Sequence, residues 1–207
     1  MCCVKRVKSQ KNHPVSLNND SSNEKNLVLA LIAGEEDAYR RIINTYRKPV
    51  LRLCNGFTGS SEDAEDLAQD IFIEVFNSIN KFKARSSLST WIYRIAVNKS
   101  LNYIRDRKKR KYEMYSPSGD MDNDSHQADS PDYRLMQKDH AYALHNAIDS
   151  LPAAQRTAFI LNKYDDLKYA EIAEIMNTSI SSVESLLFRA KRNLQKRLHD
   201  YYRKNLK

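Results

Sequence analysis

Between Tyr112 and Tyr133 the chain changes character abruptly. Ser, Pro, Gly and Asn gather around Asp120, Asp122, Asp124, Asp129 and Asp132, and no Lys or Arg occurs between Lys111 and Arg134. A segment so poor in apolar residues cannot bury enough surface to offset the entropy of ordering it. It therefore predicts a flexible acidic linker over residues 112–134, and the stretches on either side must each build a core of their own. Residues 1–24, polar and without an apolar period, are expected to be a disordered lead-in. A chain of 207 residues leaves room for two small domains, at 25–111 and 135–207.

Both domains read as helical. Only four Gly and five Pro punctuate the chain, while Leu, Ile, Ala, Lys, Arg and Glu abound. Leu27 and Leu31, then Tyr39, Ile42, Ile43 and Tyr46, then Val50, Leu51 and Cys54 recur at helical spacing. Gly34 and Pro49 are expected to divide that stretch into short helices. Ser60 and Ser61 ahead of Glu62 and Asp63 form an N-cap with acids in the first turn, opening a helix toward Phe82 that buries Leu67, Ile71, Val75 and Ile79. A second capped helix follows Lys83–Ser87, turns Leu88, Ile92, Ile95 and Ile104 inward and ends in the basic run 105–111. In the second domain Leu135, Leu144, Ile148 and Leu151 lead into a helix that starts at Pro152 and holds Ala158, Phe159 and Leu161. The expected fold class is all-α.

The formal charge of +8 favours a polyanionic partner, since cations that meet phosphates release condensed counterions. Cys2, Cys3 and Cys54 show no metal-ligand spacing, which suits a reducing, cytoplasmic setting. The basic start is followed by Gln, Asn and Ser, unlike a signal peptide, and no run is long enough to span a bilayer, so no direct membrane insertion is expected. Neither a Gly-rich phosphate loop nor a Ser, His and acid arrangement is present, and the five His are scattered, His13 and His126 among them. The chain reads as a non-enzyme without cofactor or metal.

Three constellations carry chemistry. Tyr169–Leu187 has the spacing of a helix-turn-helix: Ile172, Ala173 and Met176 line a short helix, Asn177 suits the left-handed turn, and Ser179 caps the next helix. That second helix buries Val183, Leu186 and Leu187 and leaves Ser181, Ser182, Glu184, Ser185, Phe188, Arg189 and Arg192 for a partner, a major groove by its geometry. A helical hairpin with a merely solvated basic face is the alternative. Thr90–Asn98, with Asn102, Tyr103 and Arg105, interleaves aromatic rings with Arg and Asn, which suits stacking and edge-reading of single-stranded bases but also suits core packing. Asp63, Asp66, Asp70 and Glu74, with Gln69 beside them, form an acidic stripe that fits a basic protein surface or simple solvation.

The strings DAEDLAQDIFIEVFNSINKF, STWIYRIAVNKSLNYIRDRKKR and LPAAQRTAFILNKYDDLKYAEIAEIMNTSISSVESLLFRAKRNLQKRL resemble, in order, regions 2 and 4 of the extracytoplasmic-function (ECF) sigma factors of the sigma-70 family. Asn177 stands in place of the commoner Gly of the turn, Lys168 where Ser or Thr usually caps, and Glu184 where a basic residue is frequent. The resemblance implies a subunit that binds core RNA polymerase and directs it to promoters. By that resemblance Asp66, Gln69, Asp70, Ile73 and Glu74 meet the β′ clamp helices. The 83–87 loop, with Ser86 and Ser87, and Trp91, Arg94 and Asn98 would engage the melted −10 strand, while Ser185, Phe188, Arg189 and Arg192 would meet the −35 element of promoter DNA. It also implies restraint by an anti-sigma factor, often membrane-anchored. A ligand-sensing helix-turn-helix regulator and an RNA-binding adaptor are the rivals; the first would need a pocket or β/α alternation in the first half, and the sequence shows neither.

Overall fold

A computed structural model describes residues 21–114 and 133–205. The larger parts of the expected lead-in and linker, with Cys2, Cys3, His13 and His126, lie outside the described residues. Eight α-helices follow in order: α1 Ser21–Ile32, α2 Glu36–Thr58, α3 Ser61–Ser78, α4 Leu88–Met114, α5 Tyr133–Asp149, α6 Ala153–Tyr164, α7 Tyr169–Met176 and α8 Ile180–Asn205, with a 3-10 turn at Ile79–Lys81 after α3. The protein is all-α, in two helical domains, with no strand among the described residues. Helix already begins at Ser21, inside the expected lead-in, and α4 and α5 extend into both ends of the expected linker.

In the first domain α2, α3 and α4 pack on one another, with α1 laid against α2. Gly34, at φ +81°, turns α1 into α2, and the Tyr39 hydroxyl donates to the Leu31 carbonyl at 3.1 Å to pin that corner. Helix α2 ends at Gly59, whose φ of +71° lets its N–H reach the Asn55 carbonyl. The Ser60 hydroxyl then accepts from Asp63 N at 3.3 Å and caps α3. Leu67, Ile71, Val75 and Ile79 are all buried, as the spacing predicts, against Ile42, Leu53, Phe57 and Ile92. Each such side chain contributes about 1.5–3 kcal/mol through burial. The Tyr39 ring meets Phe76 edge-on at 4.6 Å between centroids.

Pro49 does not break the helix. It lies buried in the middle of an α2 that runs unbroken for 23 residues. Its missing N–H removes one hydrogen bond to the preceding turn. Burial of Tyr46, Val50, Leu53 and Cys54 along the same helix outweighs that loss. Cys54 is free and buried, and burial pushes its thiol up to about 12, so it is unreactive at neutral pH.

In the second domain α8 packs on α5, α6 and α7 around Ile148, Leu161, Ile172, Val183 and Leu187. Ala158 is buried as expected; Ile160 is fully buried while Phe159 lies at the rim. Leu144, expected inward, is 39% exposed; Ala147, Ile148 and Leu151 enter the core instead. Ile175, rather than Met176, completes the buried face of α7. Arg156, like Asp165, is a charged residue buried in this domain. Its Nε donates to the Ile148 carbonyl at 3.1 Å, and its Nη2 donates to the Asp149 carbonyl and lies 3.1 Å from the Asp149 carboxylate.

Candidate nucleic-acid interface

The turn between α7 and α8 has the geometry that its residues predict. Asn177 sits in the left-handed region at φ 51°, ψ 52°, and the Thr178 N–H closes on the Ala173 carbonyl at 2.9 Å. Ser179 then caps α8 by accepting from Ser182 N at 3.2 Å. At the start of α7 the Glu171 carboxylate accepts from Lys168 N at 2.7 Å, so the cap is supplied from within the helix and needs no Ser or Thr at Lys168. With Val183 and Leu187 buried, the opposite side of α8 is bare. Ser185, Arg189 and Arg192 are exposed, Phe188 is 68% exposed, and a shallow cleft forms among Glu184, Ser185, Phe188 and Arg189. Arg189 Nε donates to the Ser185 carbonyl at 3.2 Å, which lays the guanidinium along the helix surface.

The α4 face divides differently. Trp91 is half-buried and tilted against Phe82 at 5.4 Å, so its ring both packs and presents an edge. Arg94 and Asn98 follow on the same side of the helix, with Asn98 exposed. Of the loop residues, Ser86 is half-buried, and the Ser87 hydroxyl is engaged: it accepts from Thr90 N at 3.1 Å and pairs with Thr90 Oγ1 at 2.9 Å, capping α4. The Glu24 carboxylate accepts from Leu88 N at 2.8 Å, satisfying another free amide of the same helix start. Ala84 holds φ 51°, a conformation that costs a non-glycine residue about 1–2 kcal/mol, so the flanking caps hold the loop in shape.

On α3, Asp66, Gln69, Asp70 and Ile73 form one exposed face, Ile73 at 57%. The ends of the acidic stripe are tied down instead. Glu74 pairs with Lys99 at 3.2 Å and Asp63 with Arg107 at 3.7 Å, both cations on α4. The face open to a partner is therefore narrower than the sequence pattern and has an apolar centre.

Some residues that the sequence reading passed over sit between the two domains. Helix α6 packs on α2, and α7 on α4. Arg52 Nε reaches the Asp165 carboxylate at 3.0 Å and the Tyr164 carbonyl at 3.1 Å, and Arg94 Nη2 donates to the Glu174 carbonyl at 2.6 Å. Gly56, inside α2, lies so close to Ile160 that a Cβ there would stand 2.8 Å from its Cγ2. A lone Gly within a helical pattern was the available signal for that close approach. Among the described residues no cluster of His, Cys, Asp or Glu is placed to hold a metal, and no helix is long and apolar enough to cross a membrane.

Two family models match this chain in the order its domains run: sigma-70 region 2 over residues 42–110 and sigma-70 region 4 over residues 141–194. The ECF RNA polymerase sigma factor SigW of Bacillus subtilis is 31% identical over 172 residues, covering 81% of this chain and 92% of that protein. The chain belongs to the ECF sigma factors. The RNA polymerase sigma-H factor of Pseudomonas aeruginosa is 28% identical over 185 residues, 87% of this chain and 96% of that one. Among solved structures, the fold resembles CnrH in complex with the cytosolic domain of CnrY (TM-score 0.60, 16% identity, covering 86% of this chain and 97% of that one). It also resembles the sigma factor RpoE with the anti-sigma factor NepR from Bartonella quintana (TM-score 0.51, 22% identity, covering 87% and 98%). As a sigma-70 family factor, the protein binds core RNA polymerase and directs transcription initiation at promoter DNA.

Proposed function

We propose that this sigma factor is a non-enzymatic, cytoplasmic subunit whose domains divide promoter recognition. The exposed α3 face of Asp66, Gln69, Asp70 and Ile73, with Glu74 at its edge, docks on the β′ clamp helices. The 83–87 loop, with Ser86 and Ser87, and Trp91, Arg94 and Asn98 take the melted −10 strand, where bases freed from the duplex can stack and be read at their edges. Ser185, Phe188, Arg189 and Arg192 read the −35 duplex. The observation that carries this reading is the bare N-terminal half of α8 behind a capped turn, in a chain whose first domain matches the partner region. Reconstitution tests it: the chain should co-purify with core polymerase in equal amount and confer promoter-specific transcription. Failure of both would remove the reading. An anti-sigma factor, membrane-anchored in the form the family resemblance implies, is proposed as its restraint.

Arg189 gives a sharper test. It is exposed, so Arg189→Ala should leave folding intact. If its guanidinium reads a base, binding to the preferred −35 sequence falls by about 1–3 kcal/mol and preference relaxes at one position. Promoter selection from a randomised −35 library with each holoenzyme measures this. A uniform loss across all sequences with a shallower salt slope would make Arg189 a phosphate contact instead.

A further inference from the structure

The −10 face just described is not free. Arg94 spends a guanidinium nitrogen on the Glu174 carbonyl at the end of α7, and Thr90 lies 3.4 Å from the Glu174 carboxylate. Asn98 and Leu101 line a cleft whose other wall is Ala153, Ala154, Met176 and Asn177 of the second domain. A DNA strand laid along Arg94 and Asn98 would meet the α7–α8 turn. From this geometry we infer that the free chain is closed on itself, with the second domain covering the −10 strand face of the first, and that an Arg52–Asp165 latch at the α2–α6 contact holds it so. The inference rests on the proposed role of α4 in strand capture.

The contact is built to hold weakly. Gly56 lets Ile160 and Tyr164 of α6 approach the α2 backbone, giving the apolar part. The polar part is imperfect: Asp165 Oδ2 and Arg94 Nε are buried without a hydrogen-bond partner. Each such atom gives up hydration for no return, so closure carries a standing cost that opening relieves. The Asp165 side chain has no exposed surface, while Arg52 is 46% exposed. Burial, only partly countered by Arg52, pushes the Asp165 carboxyl up to about 7, a sign that desolvation outweighs the attraction between the pair. A latch so weak can yield to a competing partner such as core polymerase.

Energy transfer in the full chain tests the latch, with dyes on cysteines introduced at exposed Arg41 and Lys196 after Cys2 and Cys3 are changed to Ser. Binding of a random-sequence single-stranded DNA pool is measured alongside. Gly56→Ala should wedge α6 off α2, lowering transfer in the free chain; Ala is the better helix former, so α2 itself is not weakened. If the closed form holds nine-tenths of the population, opening raises single-strand affinity about tenfold. Arg52→Ala, which removes both polar ties from α2 to Tyr164 and Asp165, should also open the chain. Asp165→Asn, neutral and still able to accept from Arg52, should keep it closed. Unchanged transfer and strand affinity in both Gly56→Ala and Arg52→Ala would overturn the inference. Competition for core polymerase, run on the same proteins, reports separately on the sigma-factor reading: its loss in the unmutated chain would sink that reading while leaving the distance result to stand.

Discussion

Arg156→Met is expected to cost the second domain about 3 kcal/mol, because two carbonyls lose their bonds to a guanidinium, and each bond to a charged donor contributes about 1.5–3 kcal/mol. The carbonyls are those of Ile148 and Asp149, at the end of α5, and Arg156 is 3% exposed beneath them. The Asp149 carboxylate adds to that loss, since the oxygen 3.1 Å from the guanidinium is itself buried although the side chain as a whole is 39% exposed. Met fills most of the volume, so cavity formation is a minor part of the effect. Amide hydrogen exchange localises the result: protection should fall across α5, α6 and α8 while α3 keeps its own. Equal protection in both proteins would show that the Arg156 bonds contribute nothing net. Holoenzyme carrying the variant should lose dependence on the −35 element before it loses core binding.

The second large effect is expected on α3. Converting Asp66 and Asp70 together to Lys replaces attraction to a basic docking surface by repulsion, and like-charge juxtaposition at an interface costs several kcal/mol. A loss of about 3 kcal/mol corresponds to roughly a hundredfold weaker competition for core polymerase. Both side chains are exposed, so helical content and thermal midpoint should hold. Asp66 and Asp70 are the cleaner pair. Reversing Glu74 would also break its contact with Lys99, and reversing Asp63 would break that with Arg107. Competition unchanged by the double reversal would remove α3 from the docking surface.

The helices and the α7–α8 turn were legible in the sequence because their signals are local. The hydrogen bonds at Ser60, Asn177 and Ser179 span three to five residues, and the Leu67, Ile71, Val75 and Ile79 stripe needs only the helical period. Pro49 misleads for the opposite reason. Its local cost is real, but burial supplied by residues distant in sequence decides the outcome. The exposed faces of α3 and α8 follow from the same periodicity, whereas the ion pairs that narrow the acidic stripe depend on how α4 lies against α3. The covered state of Arg94 was not legible at all. It depends on Glu174, eighty positions away, and on Arg52 meeting Asp165 across a gap of 113. No pattern confined to one helix encodes such a pairing, and only Gly56, out of place in its helix, hinted that something approaches.

The Glu24 carboxylate at the start of α4 bears on where this chain can be cut. The region 2 match begins at residue 42, yet the loop ahead of Trp91 is capped partly by a side chain eighteen residues before that boundary. A fragment trimmed to the matched region would keep α4 as far as residue 110 and lose the acceptor for Leu88 N. Its 83–87 loop would be left to Ser87 alone, with Ala84 still in its costly conformation. A fragment starting at Ser21 retains the brace, so weak strand binding by the shorter piece would measure a missing cap and not the intrinsic capacity of the recognition face.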